Sequence, residues 1–379
     1  MGYDLRTEPT ERVNPTTLRA FTRCALIAAL VILALLDPAT VTDAARRSCQ
    51  TWAESVMPSL FPFVALSLLL VSSLNALNLP CTTLTSLSVA LGMIGGSPSG
   101  ARLLAQLQNQ TGGKLSKRSI QRAAACVTTA SPMFILATLT NWLGTSRFVG
   151  LTMLVSHILA ALLAGLVCVS WTRRWPDDES TRYYSARDSA RDTENQPPSP
   201  AKPLTLSEAV TQAAAAMFSV CGCMVLFNAA VAVAASRLAL SPMAAAVMAS
   251  LLEMAGGCAR IAGLGLPTAA AAPMICAAVT FGGASVFTQN AAFLSKAGVR
   301  LPIQLAARAV GGLLAWSICA ALLGNRLGWV VAAAALAVSS VPAIPDAPTR
   351  KPTPRGYPTT SPHASRPRAR APVISGPAC

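Results

Sequence analysis

Glu253 is the residue in this chain whose chemistry most demands an explanation, because it sits between Leu251-Leu252 and Met254 in an apolar run. A carboxylate in such surroundings costs several kcal/mol unless it is paired, hydrated or protonated. It therefore implies either a structural partner or a task such as binding or coupling a solute. Arg102, Arg260 and Arg308 are the candidate partners. Arg102 has a further option, since near a membrane boundary a long cationic side chain snorkels to water.

Two glycine-broken blocks carry the remaining polar groups. The first, Gly92 to Arg102, holds four glycines, two serines and a proline within its first nine residues, and places Ser97 and Ser99 beside Gly95-Gly96. The second runs from Thr280 to Asn290 and contains Gly282-Gly283, Ser285 and the consecutive trio Thr288, Gln289 and Asn290. On a helix that trio covers nearly 300° of surface, about 100° for each residue, so at least one member faces protein or a cavity. Amide side chains donate and accept together, which suits neutral polar solutes such as nucleosides or bases. The candidates for binding or coupling are thus Glu253, Arg102, Ser97, Ser99, Ser285, Gln289 and Asn290. The alternative is that the Gly-Gly pairs only let helices approach closely.

Other chemistries are excluded by what is missing. No nucleophile–base pair, no paired histidines and no phosphate loop with lysine is legible, so an enzyme is not expected, nor a cofactor or a metal site. Of the two histidines, His157 lies in an apolar run and reads as a packing residue. Nine of the eleven cysteines (Cys24, Cys81, Cys126, Cys168, Cys221, Cys223, Cys258, Cys276 and Cys319) fall in or beside apolar segments and read as small packing side chains.

The elements that must position these groups are membrane helices. Only 12% of the residues are charged and mean hydropathy is +0.50, against roughly 25% charged in a soluble domain. The net charge of +15 raises the question of nucleic acid, but 5% aromatic content and basic residues bunched between apolar runs fit a positive-inside bias instead. Ten apolar segments follow one another. Residues 173–206 interrupt them with six basic and six acidic side chains and five prolines, and from residue 346 a tail carries six basic residues. The reading is an all-α polytopic integral membrane protein. It comprises a cytoplasmic arm (1–17), a first membrane half (18–172), a disordered cytoplasmic linker (173–206), a second half (207–342) and a basic disordered tail (343–379).

Ten complete passes starting in the cytoplasm would put the cationic residues 114–122 outside, against the positive-inside rule. About eight passes, with the broken segments around Gly95 and Gly283 dipping in and returning, place arm, linker, tail and the Lys114 loop in the cytoplasm. The two broken segments then occupy matching places in a two-half pseudo-repeat, the pattern that marks a midplane site in transporters. The proline pair Pro58 and Pro62 predicts a kink or broken turn, and Asp43 to Glu54 predicts an amphipathic piece at the interface.

The blocks Pro58 to Phe63, Gly95 to Arg102, Cys126 to Phe134, Glu253 to Gly257 and Phe281 to Gln289, in that order, resemble those of the YlbJ-type sporulation integral membrane proteins with nucleoside-recognition (Gate) domains. The resemblance covers about Trp52 to Leu323. Gly96-Ser97-Pro98 stands where the family block carries a tyrosine, Thr128 and Thr129 where it carries asparagines, and Phe287 near a histidine place. It implies a cell-membrane protein acting in spore formation, with segments similar to parts of nucleoside transporters. Two functions follow as expectations: transport of a small polar or nucleoside-like solute, or a non-transporting scaffold or signalling component in spore envelope assembly. The expected partners are the lipid bilayer, a small polar solute and a second copy of the chain, and not nucleic acid.

Overall fold

A computed structural model of the chain describes residues 35–75, 81–110, 115–172 and 204–340, with isolated helical positions between 21 and 32. The expected arm and tail, and the linker up to residue 203, lie outside the described residues. All regular structure among the described residues is helical. Five stretches (38–74, 147–168, 206–237, 268–296 and 301–322) are long and apolar enough to cross a membrane. Their outer faces carry exposed Leu66, Phe148, Phe218 and Leu226, a surface that suits lipid and not water.

Helix α1 (Pro38–Thr51) starts on an Asp37 cap and passes through a π-helical segment, Trp52–Val56, into α2 (Met57–Asn75). The irregularity expected from Pro58 and Pro62 is this π turn just upstream of them, the usual device for absorbing a disturbed hydrogen-bond ladder. The stretch from Asp43 to Glu54 is not an isolated interfacial piece. It lies along α8 (Leu206–Arg237), with Ala44 and Ser48 buried and Trp52 Nε1 donating to the Met217 carbonyl at 3.0 Å.

Next come α3 (Cys81–Gly95) and α4 (Ser99–Gln110), which fold back on each other around Gly96-Ser97-Pro98. Helix α5 (Lys117–Val127) stops at Thr128. The chain then runs through residues 128–131 into a second π segment (Phe134–Leu139) and the single turn α6 (Thr140–Trp142), before α7 (Arg147–Thr172). After α8, α9 (Pro242–Leu252) and α10 (Met254–Ala262) make a second hairpin, with extended Glu253 at its tip. Helices α11 (Thr268–Phe281) and α12 (Gly283–Lys296) are separated only by left-handed Gly282. They are followed by α13 (Leu301–Leu322) and α14 (Leu327–Ser340).

This corrects one expectation. The turn-back of the second half is at Glu253 and not at Gly283. Helices α9 and α10, of 11 and 9 residues, rise about 17 and 14 Å at 1.5 Å per residue, too little for a hydrocarbon core of about 30 Å. Helices α11 and α12 form one 29-residue apolar stretch and do not pack against each other. Periodicity cannot distinguish the two cases, because both are apolar runs with a polar or glycine interruption.

Contacts group the helix ends at two faces. Gln121 near the start of α5 exchanges hydrogen bonds with the backbone of Arg300 at the start of α13. Leu104, Ile120, Leu294 and Val299 join α4, α5 and the end of α12 in one cluster. Leu204 N donates to Ser72 Oγ, which joins the end of α2 to the approach of α8. At the other end of α8, Arg237 reaches the Leu36 carbonyl at 3.0 Å. Tracing the helices between these contacts, the α3/α4 hairpin enters from the Gln121 face and the α9/α10 hairpin from the opposite one.

Glycine allows a close approach in each hairpin, of α4 to the end of α5 and of α10 to α9. A Cβ at Gly100 would land on the Val127 carbonyl oxygen, and one at Gly257 on the Ser250 backbone. Gly100→Val is therefore expected to lower the thermal unfolding midpoint of the detergent-purified protein by the equivalent of about 1–3 kcal/mol. Gly222→Val, at a site with open space around it, is expected to leave that midpoint within about 0.5 kcal/mol.

Candidate functional site

The four interruptions meet. A break leaves unpaired amides where a helix starts and unpaired carbonyls where one ends, and at lipid depth only protein or a wet cavity can satisfy them. The tip of the first hairpin is fixed to the break after α5 by Ser97 N donating to the Thr129 carbonyl at 2.8 Å. It is fixed to α12 by Asn290, whose Nδ2 lies 2.6 Å and Oδ1 3.0 Å from Ser97 Oγ. The tip of the second hairpin lies against α12, where a Cβ on Gly283 would meet the Leu252–Glu253 backbone at 3.1 Å.

Arg308, on α13 and 6% exposed, ties the ends of α5 and α11 together. Its Nη1 donates to the Thr128 carbonyl at the end of α5 (2.5 Å), while Nε and Nη2 donate to the Phe281 and Thr280 carbonyls at the end of α11 (2.6 and 3.4 Å). One turn earlier Gln304 bonds to Thr128 Oγ1 (2.9 Å) and to the Ala124 carbonyl (3.2 Å). Gly282 makes this seat available, since its φ of +80° is left-handed and a Cβ there would strike Arg308 Nη2.

Glu253 is 2% exposed and forms no ion pair among the described residues. The carboxylate caps the helix it precedes, taking Ala255 N at 3.0 Å on Oε1 and Gly256 N at 2.5 Å on Oε2, with Asn228 Nδ2 also on Oε2 at 3.3 Å. Asn228 in turn bonds to Ser48 on α1. Helix amides and an amide side chain do what an ion pair was expected to do. None of the three arginines pairs with Glu253: Arg308 serves carbonyls, and Arg102 reaches Gln212 (3.4 Å) and covers the Phe293 ring at 5.4 Å. Arg260 has no contact with Glu253 among the described residues.

A cavity of about 40 Å³ lies among the breaks, lined by Ser97, Thr129, Ser131, Glu253, Ser285 and Arg308 together with apolar side chains such as Val56, Leu60, Phe134 and Met224. At roughly 10–15 Å³ per water it has room for about three. Ser285 Oγ (1% exposed) and Thr129 Oγ1 (4%) have no hydrogen-bond partner among the described residues. Gln289 also lines it. Of the other residues singled out from the sequence, Asn290 positions Ser97, Ser99 bonds back to the Gly96 carbonyl at 2.6 Å, and Arg102 stands apart. Thr128, Thr129, Ser131 and Asn228 were not expected there; the signal for the first three was Thr-Thr-Ala-Ser-Pro ending an apolar helix, where hydroxyls and proline mark a break. His157 is buried, with Nδ1 2.7 Å from Thr280 Oγ1, behind the break in α11. The described cysteines are free, and five of them are buried.

The sporulation integral membrane protein YlbJ of Bacillus subtilis (strain 168) is 25% identical over 219 residues, covering 52% of this chain and 53% of that protein. The chain is a distant relative of that protein. It spans about half the length of the curated relative it matches. No protein-family model matches the chain. No solved structure matches it either.

Removing Arg308 leaves three buried carbonyls without a donor, each worth about 1–3 kcal/mol. Arg308→Met is expected to destabilise the purified protein by about 3 kcal/mol or more in thermal unfolding, with Arg308→Lys intermediate because an ammonium cannot reproduce the fork. Arg326→Met, at an exposed position, is the neutral comparison.

Proposed function

We propose that this protein is a sporulation-associated transporter that moves a small polar solute past the point where its four helix interruptions meet. What carries the reading is the pairing of two buried, unpartnered hydroxyls, Ser285 and Thr129, with an acid and a base that line one cavity without neutralising each other directly. Groups left in that state are expensive in a purely structural core. The association with sporulation comes from the name of the Bacillus subtilis relative.

The arrangement has the form of an inverted repeat. In each half (18–172 and 207–342, separated by the linker) a hairpin is followed by an interrupted spanning helix and then an intact one: α3/α4, α5–α6 and α7 in the first, α9/α10, α11–α12 and α13 in the second. The hairpins enter from opposite faces, and discontinuous helices meeting at mid-depth are the usual site architecture of secondary transporters. Counting the apolar run Cys24 to Leu36 as a first crossing on its sequence, the proposed thread makes eight complete crossings and two re-entrant hairpins. By this proposed threading, six of the 30 basic residues (Arg46, Arg47, Arg147, Arg237, Arg260 and Arg326) belong to segments on the face opposite Gln121. The positive-inside rule makes the Gln121 face cytoplasmic, with both termini and the linker on it. The hairpin tips are the gates. Ser97–Asn290 holds one shut and the Glu253 cap shapes the other.

One observation favours the second reading, a non-transporting scaffold: a cavity of about 40 Å³ is far below the 300 Å³ or so of an ordinary ligand pocket. The transport reading takes it as the occluded state. Two outcomes separate them. Glu253→Gln is expected to leave protein abundance near normal while cutting solute uptake and sporulation at least tenfold, and full activity at equal abundance removes Glu253 from the mechanism. Single-cysteine labelling in a cysteine-free background is expected to find Ser116 and Gly298 reactive from the cytoplasm and Gly144 and Gly265 from outside; Ser116 and Gly265 on one face would overturn the inverted arrangement.

A further inference from the structure

The lining of the cavity has a charge pattern that selects among solutes. Glu253 supplies a carboxylate, and its three donors fill three of about four lone-pair sites, two on Oε2 and one on Oε1. One acceptor site therefore stays open on Oε1. Arg308 uses three of the five N–H groups of a guanidinium on carbonyls, leaving two. Beside it α12 begins on left-handed Gly282 with no side chain capping its first amides, so that helix end carries about half a positive charge. Ser285, three residues from the break, points an unpartnered hydroxyl into the same space.

A lone anion here would gain from the α12 terminus and Arg308 but would face the Glu253 carboxylate. A lone cation would gain from Glu253 but face the guanidinium. In a water-poor cavity such like-charge contacts are strongly unfavourable. A molecule carrying both charges on a short frame meets each with its opposite. The cavity volume of about 40 Å³ also restricts the solute to a few heavy atoms beyond modest opening of the hairpin tips, which excludes a nucleoside in the closed state.

We propose that the cavity takes a small zwitterion of the amino-acid class, its ammonium group at Glu253 and its carboxylate at the start of α12 between Ser285 and Arg308. The assignment refines the transport reading and rests on it for the direction of movement, while binding is measurable without flux.

The test is thermal stabilisation of the full-length protein in detergent with glycine, methylammonium, acetate and uridine as probes, followed by uptake into reconstituted vesicles. Glycine is expected to raise the unfolding midpoint at concentrations where methylammonium and acetate do not. Ser285→Ala is expected to weaken the half-saturating glycine concentration at least tenfold while leaving the ligand-free midpoint within a degree or two. Equal shifts with the singly charged probes, a shift with uridine in place of glycine, or no shift with any probe overturns the assignment. Uridine uptake without glycine binding overturns it and leaves transport standing. Glycine binding without uptake of any probe keeps the site and removes the transport reading.

Discussion

The three carbonyls held by Arg308 are the contact on which the rest of this fold depends. Interrupting a helix inside an apolar medium exposes backbone groups that lipid cannot satisfy, and in this chain α5 stops at Thr128 while the apolar stretch of α11 and α12 is interrupted at Gly282. One guanidinium on α13 serves the ends of both, Thr128 on α5 and Thr280–Phe281 on α11. Because the fork is planar and rigid, it fixes the distance between the two breaks as well as satisfying them. Opposite it, Glu253 solves the converse problem: two orphan amides at the start of α10 are capped by the carboxylate of the residue before them.

Glycine makes these solutions fit. Gly282 turns the chain where an L side chain would be strained, and it also leaves the space into which Arg308 reaches. Gly100 allows α4 to touch the carbonyl end of α5. The close-packing reading of the glycines and the site reading are therefore not rivals, since the packing contacts hold the polar groups around the cavity. Packing of this kind is bistable in general, because hairpin tips held by one or two hydrogen bonds have discrete bound and unbound arrangements. The Ser97–Asn290 pair is such a contact between the first hairpin and α12.

Much of this was legible in the residues. Apolar runs with charges bunched between them specify membrane helices, and the long apolar runs in the second half fall on α8 and α13, both long enough to cross a membrane. The Gly-Gly-Ser-Pro-Ser-Gly block marked the first hairpin because no smooth helix can hold it. What sequence could not separate was a break that reverses the chain from one that does not. Gly282-Gly283 has the stronger breaker signal but passes straight on, while the reversal occurs at Leu252-Glu253, where no glycine stands. Long-range partners were equally hidden. Glu253 has three arginines at tempting separations and uses none of them, because its own following amides lie closer than any side chain on another helix. Asn228, alone in an alanine-rich run, was the missed partner.

The central claim, that the interruptions form a gated solute site, is tested most directly by cross-linking Ser97→Cys to Asn290→Cys in an otherwise cysteine-free protein in vesicles. The account predicts that oxidation forms the bond and stops solute uptake, and that a thiol reductant restores it. A bond that forms fully while uptake continues unchanged would contradict the account, as would a pair that never forms.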